Sequence, residues 1–243
     1  MKNYFLSLIV VALCLCSIYT QPSFGQGEFP GIGIGAKVST LGVGVEGGIR
    51  VTSRSNARVG FNFYNYSKTS HSHGVAYDGD LDFRSLQFTY DQYLIGGLHV
   101  SPSLLAYNGT HADATANVPA GQSFTLGGTR YFSGAADPIA GTGTMNVRKV
   151  APAVFIGIGN IVPRNGRRLG FNVEGGVVFQ GTPTTKLSLG GTACLVNPTT
   201  GCLNAATDPT VQANVQNEQA KLNNDLEPFK YYPVVSVGIS WQF

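Results

Sequence analysis

The stretch YYPVVSVGISWQF, Tyr231 to Phe243, sorts its side chains onto two faces. Tyr231, Val235, Val237, Ile239, Trp241 and Phe243 fall on one, with Pro233 between them. Tyr232, Ser236, Gly238, Ser240 and Gln242 fall on the other. A period of two is the mark of a strand, because successive side chains of extended backbone point to opposite sides. The same alternation recurs upstream. Phe171, Val173, Val177 and Phe179 alternate with Asn172, Glu174, Gly176 and Gln180. Val43, Val45, Ile49 and Val51 alternate with Gly44, Glu46, Gly48 and Arg50. Val59, Phe61 and Phe63 oppose Arg58, Gly60 and Asn62, and Val100 and Leu104 oppose His99, Ser101 and Ser103.

A soluble sandwich alternates too, with its apolar face inward. Here the polar face is small, rich in the chain's 32 glycines, and dotted with isolated charges. Small polar residues suit the inside of a narrow closed barrel, and large apolar residues with aromatic ends suit a lipid-facing outside. The fold expected is therefore all-β: a transmembrane, antiparallel, up-and-down β-barrel. Its eight strands read as 30–39, 42–53, 57–67, 80–91, 94–107, 146–161, 168–181 and 229–243. Connections two, four and six are short, while three is medium and five and seven are long (108–145 and 182–228). Short periplasmic turns and long external loops give that asymmetry. The brief first connection, Thr40-Leu41, departs from it.

The long segments carry their own signals. SFTLGGTRYF, around Gly127-Gly128, reads as an external hairpin, or as two further barrel strands making ten. TTKLSLGG could extend the seventh strand. Asp208-Pro209 opens a helical segment over 209–226, with Asp208 as cap and Val211, Val215, Leu222 and Leu226 near one face. A helix immediately before the last strand would cover a barrel rim or dock a partner.

The N-terminus reads as a secretory signal over residues 1–25. Lys2 precedes an apolar run from Phe5 to Ile18, and Ser23 and Gly25 are the small residues before a cut at Gln26. That leaves 26–243 as one barrel domain and Cys194 and Cys202, in CLVNPTTGC, as the remaining cysteines. Two close cysteines around a Pro/Gly turn in an exported chain predict a disulfide. Charged residues make up 12% of the chain, about half the usual share, and the formal net charge is only +3. Neither a disordered chain nor a nucleic-acid partner fits that balance.

Signal, Gly-rich alternating strands and a last strand ending on Phe243 together resemble small bacterial outer-membrane β-barrels of the OmpA/OmpX type. FKYYPVVSVGISWQF resembles the C-terminal insertion signal of that class, carried here by Tyr231, Val235, Val237, Ile239, Trp241 and Phe243. The resemblance implies a bacterial outer-membrane location, contact with outer-membrane lipid and lipopolysaccharide, and recognition of the last strand by the barrel-assembly machinery. It covers the mature chain in pattern, with no sign of the periplasmic domain that follows the barrel in full-length OmpA.

Seven charges fall on the expected lumen face: Lys37, Glu46, Arg50, Arg58, Asp91, Lys149 and Glu174. Buried charges are costly unless paired, so they predict an ion-pair network filling a narrow interior. A gated pore or proton path is the other reading of the same residues. His71 and His73 lie in an external SHSH loop without a carboxylate or cysteine to complete a metal set. His99 and Ser101 share a face, the residue types of base and nucleophile in lipid-modifying barrels, but no third member is assignable. The expected function is a non-enzymatic outer-membrane barrel with a structural or surface-interaction role, without cofactor, metal or catalytic residues. Passage of a small solute through a narrow pore is the alternative, and a lipid-modifying enzyme a third.

Overall fold

In the computed structural model, Tyr232–Gln242 is hydrogen-bonded along both edges, to the first strand on one side and to Leu169–Val178 on the other. That double pairing closes a ring. The structure describes residues 31–72, 75–164 and 167–243, so the expected signal peptide and His73 lie outside the described residues. Eight antiparallel strands form the ring: β1 (Ile32–Ser39), β2 (Gly42–Thr52), β3 (Ser55–Ser72), β4 (Val75–Ile95), β5 (Leu98–Asn108), β10 (Ala151–Asn160), β11 (Leu169–Val178) and β15 (Tyr232–Gln242). Each pairs with the next in that order, and β15 returns to β1. No ring edge is left unpaired, which removes the usual liability of a sheet.

The pleat sorts the side chains as the alternation predicted. Ile34, Val45, Ile156, Val235 and Ile239 point outward and each keeps more than half of its surface exposed. Lys37, Glu46, Arg58, Asp91, His99 and Glu174 point inward and are buried. This inverts the usual distribution of a water-soluble protein.

The two long connections build a head at one end of the ring. β3 and β4 are 18 and 21 residues long and rise beyond it. On the upper part of β4 lies β6 (His111–Val118), then β9 (Ile139–Asn146), then β12 (Thr184–Gly190). A second sheet joins β7 (Ser123–Leu126), β8 (Thr129–Ser133), β13 (Thr192–Asn197) and β14 (Thr200–Asn204). The expected hairpin is β7–β8, and its Gly127 and Gly128 both take positive φ (56° and 86°). A two-residue turn of that hand needs glycine there. The pair belongs to the head, so the ring has eight strands and not ten. TTKLSLGG forms β12 beside β9, a separate strand and not a continuation of β11, because a break at 179–183 redirects the chain.

Helix α1 (Pro209–Asp225) begins where Asp208 caps Thr210 N and Val211 N. It buries Val211 and Val215 in the head core with Val118, Tyr131 and Ile139. It also covers the outer edge of β12: Asn223 Oδ1 accepts from Thr185 N at 2.8 Å and Gln219 Oε1 from Leu187 N at 3.1 Å. The disulfide Cys194–Cys202 ties β13 to β14.

Candidate functional site

Three layers fill the ring interior. The layer beneath the head is apolar: Leu41, Leu105, Phe155, Val178 and Val234 meet across the bore. Tyr64, Phe83 and Tyr232 extend it upward, with ring centroids 6.4 and 6.3 Å apart.

The middle layer is an ion-pair network centred on Arg58. Its guanidinium donates to Glu46 (Nη1–Oε2 3.2 Å), to Asp91 (Nη2–Oδ1 2.7 Å) and to Glu174. Glu46 also faces Lys37 at 3.4 Å, whose ammonium donates onward to Gln87 Oε1 at 3.2 Å. Gln87 Nε2 donates to Thr89 Oγ1, which lies 2.6 Å from Ser103 Oγ. A planar fork matches several carboxylates at once, which suits arginine to the centre and lysine to the periphery.

His99 completes this layer. One ring nitrogen lies 3.1 Å from Glu174 Oε1 and the other 3.1 Å from the Gly97 carbonyl oxygen. Both neighbours are acceptors, so a ring protonated on both nitrogens donates to each. That form sets three cations, Lys37, Arg58 and His99, against three carboxylates, Glu46, Asp91 and Glu174. Gly157 makes the contact feasible. A Cβ there would lie 2.7 Å from both His99 Nε2 and Glu174 Cγ.

The lowest layer is the β10–β11 turn, folded back into the bore. Ile161 and Val162 are buried. Asn160 Oδ1 accepts from Val162 N and from Asn56 Nδ2, both at 2.8 Å. Arg164 stacks 4.4 Å over the Tyr93 ring and donates to Asn56 Oδ1 at 3.0 Å. Arg50 Nη2 donates to the Pro163 carbonyl at 3.2 Å, and Ser240 Oγ to that of Ile161 at 2.9 Å.

Of the seven charges expected inside, Lys37, Glu46, Arg58, Asp91 and Glu174 meet in the middle layer. Arg50 faces inward one layer lower, where it holds the turn. Lys149 does not face the bore, contrary to the expectation from the sequence. It precedes β10, which starts at Ala151 and not at 146, and it is exposed. The residues Tyr231, Val235, Val237, Ile239, Trp241 and Phe243 all face outward and are exposed. Sequence reasoning missed two roles: His99 as a member of the network, and the inserted turn, whose apolar Ile161-Val162 pair in a polar connection was the available signal.

The chemistry open to this interior is narrow. Ser101 Oγ donates to Asp91 Oδ1 at 2.7 Å, while His99 faces Glu174 and Gly97. The serine is not hydrogen-bonded to the histidine, which a base–nucleophile pair requires. Ligand atoms of Asp91, His99 and Glu174 lie within 4.8 Å of one another, as a metal site would need. Arg58 already bonds both carboxylates, so a dication there would meet a fixed positive charge.

No protein-family model and no curated protein matches the chain. Solved structures do, two from Acinetobacter baumannii among them. Acinetobacter baumannii CarO is 25% identical, with TM-score 0.53 over 88% of this chain and 98% of that one. Acinetobacter baumannii CarO2 is 21% identical, with TM-score 0.56 over 89% and 100%.

Proposed function

We propose that the chain is an integral outer-membrane β-barrel protein whose ring spans the bilayer and whose head stands outside the cell. Its role is structural or surface-presenting, with no enzymatic step. The observation that carries this is the inverted ring: apolar on its outward face all round, polar and ion-paired within. An exposed apolar surface of that extent demands an apolar solvent. Ring strands such as β2, β5 and β15, each 11 residues long, match a tilted crossing of the hydrocarbon layer. Trp241 and Phe243 at one end, and Tyr107 and Tyr231 at the other, are exposed where interfacial girdles belong. The likeness to the two CarO structures, over nearly nine-tenths of this chain, supports the same fold. The finer likeness to the OmpA/OmpX type rests on the eight-strand ring and the terminal strand pattern.

The three closed layers favour a sealed barrel at rest. A second reading, a narrow gated pore, draws on the lowest layer. The turn 161–164 is held mainly by hydrogen bonds and could leave the bore without breaking the ring.

Membrane fractionation with heat-modifiable gel mobility tests the main reading. The protein is expected in the outer-membrane fraction and to migrate differently before and after boiling. A soluble periplasmic protein with no mobility shift would refute it. Deleting Phe243 is expected to slow assembly, read as outer-membrane yield, and an unchanged yield would remove the terminal strand's role as insertion signal. Planar-bilayer recordings separate the two readings: no steady conductance from the native protein, but openings from an Arg164→Ala variant if the turn is a gate.

A further inference from the structure

The head-side rim of the ring is not uniform in charge. At the tops of β5, β10, β11 and β15, four neighbours in the ring, the outward apolar surface ends on Tyr107, Val150, Phe179 and Tyr231. Cations stand immediately beyond. Arg148 and Lys149 precede Val150, both are exposed, and neither has an ion-pair partner among the described residues. Lys230 precedes Tyr231 and lies 5.6 Å from its ring centroid. The backbone holds these groups together. Asn108 N donates to Lys149 O at 2.7 Å, and Gln180 Nε2 donates to Phe229 O at 3.0 Å. A Cβ on Gly181 would lie 3.5 Å from the Arg148 guanidinium. Phe179 and Tyr231 meet edge to face at 5.8 Å. Across the ring, the β1–β2 turn, Thr40-Leu41, carries no charge.

We propose that this arc binds the phosphate-bearing headgroup of an outer-leaflet glycolipid. The inference rests on the membrane reading and adds a place and a chemistry to it. Aromatic rings favour the headgroup zone, and long basic side chains just beyond them extend toward its phosphates. Glu227 lies 3.0 Å from Lys230, and its carboxylate makes the lysine hold its proton more tightly. Arg148 and Lys149 therefore carry most of the attraction. A membrane phosphate is favoured over a free one because the cations border an apolar band that a soluble anion would not touch.

The test uses the full chain in phosphatidylcholine nanodiscs doped with lipid A, dephosphorylated lipid A or neither, with retained lipid counted after extraction by native mass spectrometry. Wild type is expected to retain phosphorylated lipid A selectively. At roughly fivefold per surface cation, Arg148→Ala/Lys149→Ala is expected to lower retention at least tenfold. Arg130→Ala, on the head, is expected to leave it unchanged. Heat-modifiability confirms that each variant is folded and inserted. An inserted double variant that retains lipid A like wild type overturns the proposal, as does equal retention of the dephosphorylated form. Displacement by millimolar inorganic phosphate would overturn the lipid as the source of the anion. A wild-type chain that fails to insert refutes the membrane reading and this site with it.

Discussion

Replacing Arg58 by methionine removes the one cation that touches three buried carboxylates, Glu46, Asp91 and Glu174. Methionine keeps the length and apolar volume, so the change isolates charge. Breaking a buried pair by deleting one partner costs about 3–5 kcal/mol, because the stranded charge stays desolvated. Here three carboxylates would be left with Lys37, which touches only Glu46, and His99, which touches only Glu174. Asp91 would retain only the Ser101 hydroxyl among these partners. The expected loss is therefore at the upper end, about 4–5 kcal/mol, a large part of a typical domain's 5–15 kcal/mol. Urea unfolding in detergent micelles reads it directly, since Trp241 is the chain's single tryptophan and stands on the ring-closing strand. A second variant sharpens the reasoning. Arg58→Met/Asp91→Asn removes the carboxylate left with no cation beside it, and roughly 1–2 kcal/mol should return through coupling between the two sites. A midpoint within about 1 kcal/mol of wild type for the single variant, or a double variant weaker than the single, would refute the account of the network.

Glu46→Gln is expected to cost less, about 1–2 kcal/mol, because Lys37 keeps Gln87 and Arg58 keeps Asp91 and Glu174; the same urea titration checks it, and a loss equal to that of Arg58→Met would place the centre elsewhere. Gly157→Ala brings a methyl group to 2.7 Å from His99 Nε2 and should destabilise the ring by about 1–3 kcal/mol through overpacking. Unchanged unfolding would mean that the histidine does not sit against Glu174. Cys194→Ser/Cys202→Ser should lower the stability of the head hairpin by about 2–3 kcal/mol, the entropy of a short closed loop. It should be read as faster protease cleavage near 192–204 with unaltered heat-modifiability of the ring; a lost mobility shift would show the head and ring to be one cooperative unit.

Most of the ring was legible because its pattern is set by the pleat alone. Val43 to Val51 and Val235 to Trp241 alternate without interruption, and their facing in the structure follows from that period. The inward charges were legible for the same reason, and Lys149 misled only because the sixth strand was started five residues early, across a segment whose alternation is imperfect. What the period could not reveal was pairing across the bore. Which carboxylate meets Arg58 depends on the stagger of strands far apart in sequence, and Arg58 and Glu174 are 116 residues apart. The head was hidden for a related reason. β6, β9 and β12 bury one face only after two separate loops meet, so neither loop alone displays a strong strand signal. The α1 segment was read correctly at its start, where Asp208-Pro209 is a local signal, but its place against β12 was not.

The caps that Asn223 and Gln219 place on β12 close a sheet margin that would otherwise be bare. A sheet that rises into the surroundings with a bare margin would offer its amides to the same margin of a neighbouring copy, and the two could zip into filaments. Side-chain amides on one helix, four residues apart, occupy two of those donors in advance. Substituting both by alanine would leave the head folded around Val211 and Val215 yet adhesive. On the membrane location proposed above, a helix so placed would keep each head from pairing edge to edge with its copies.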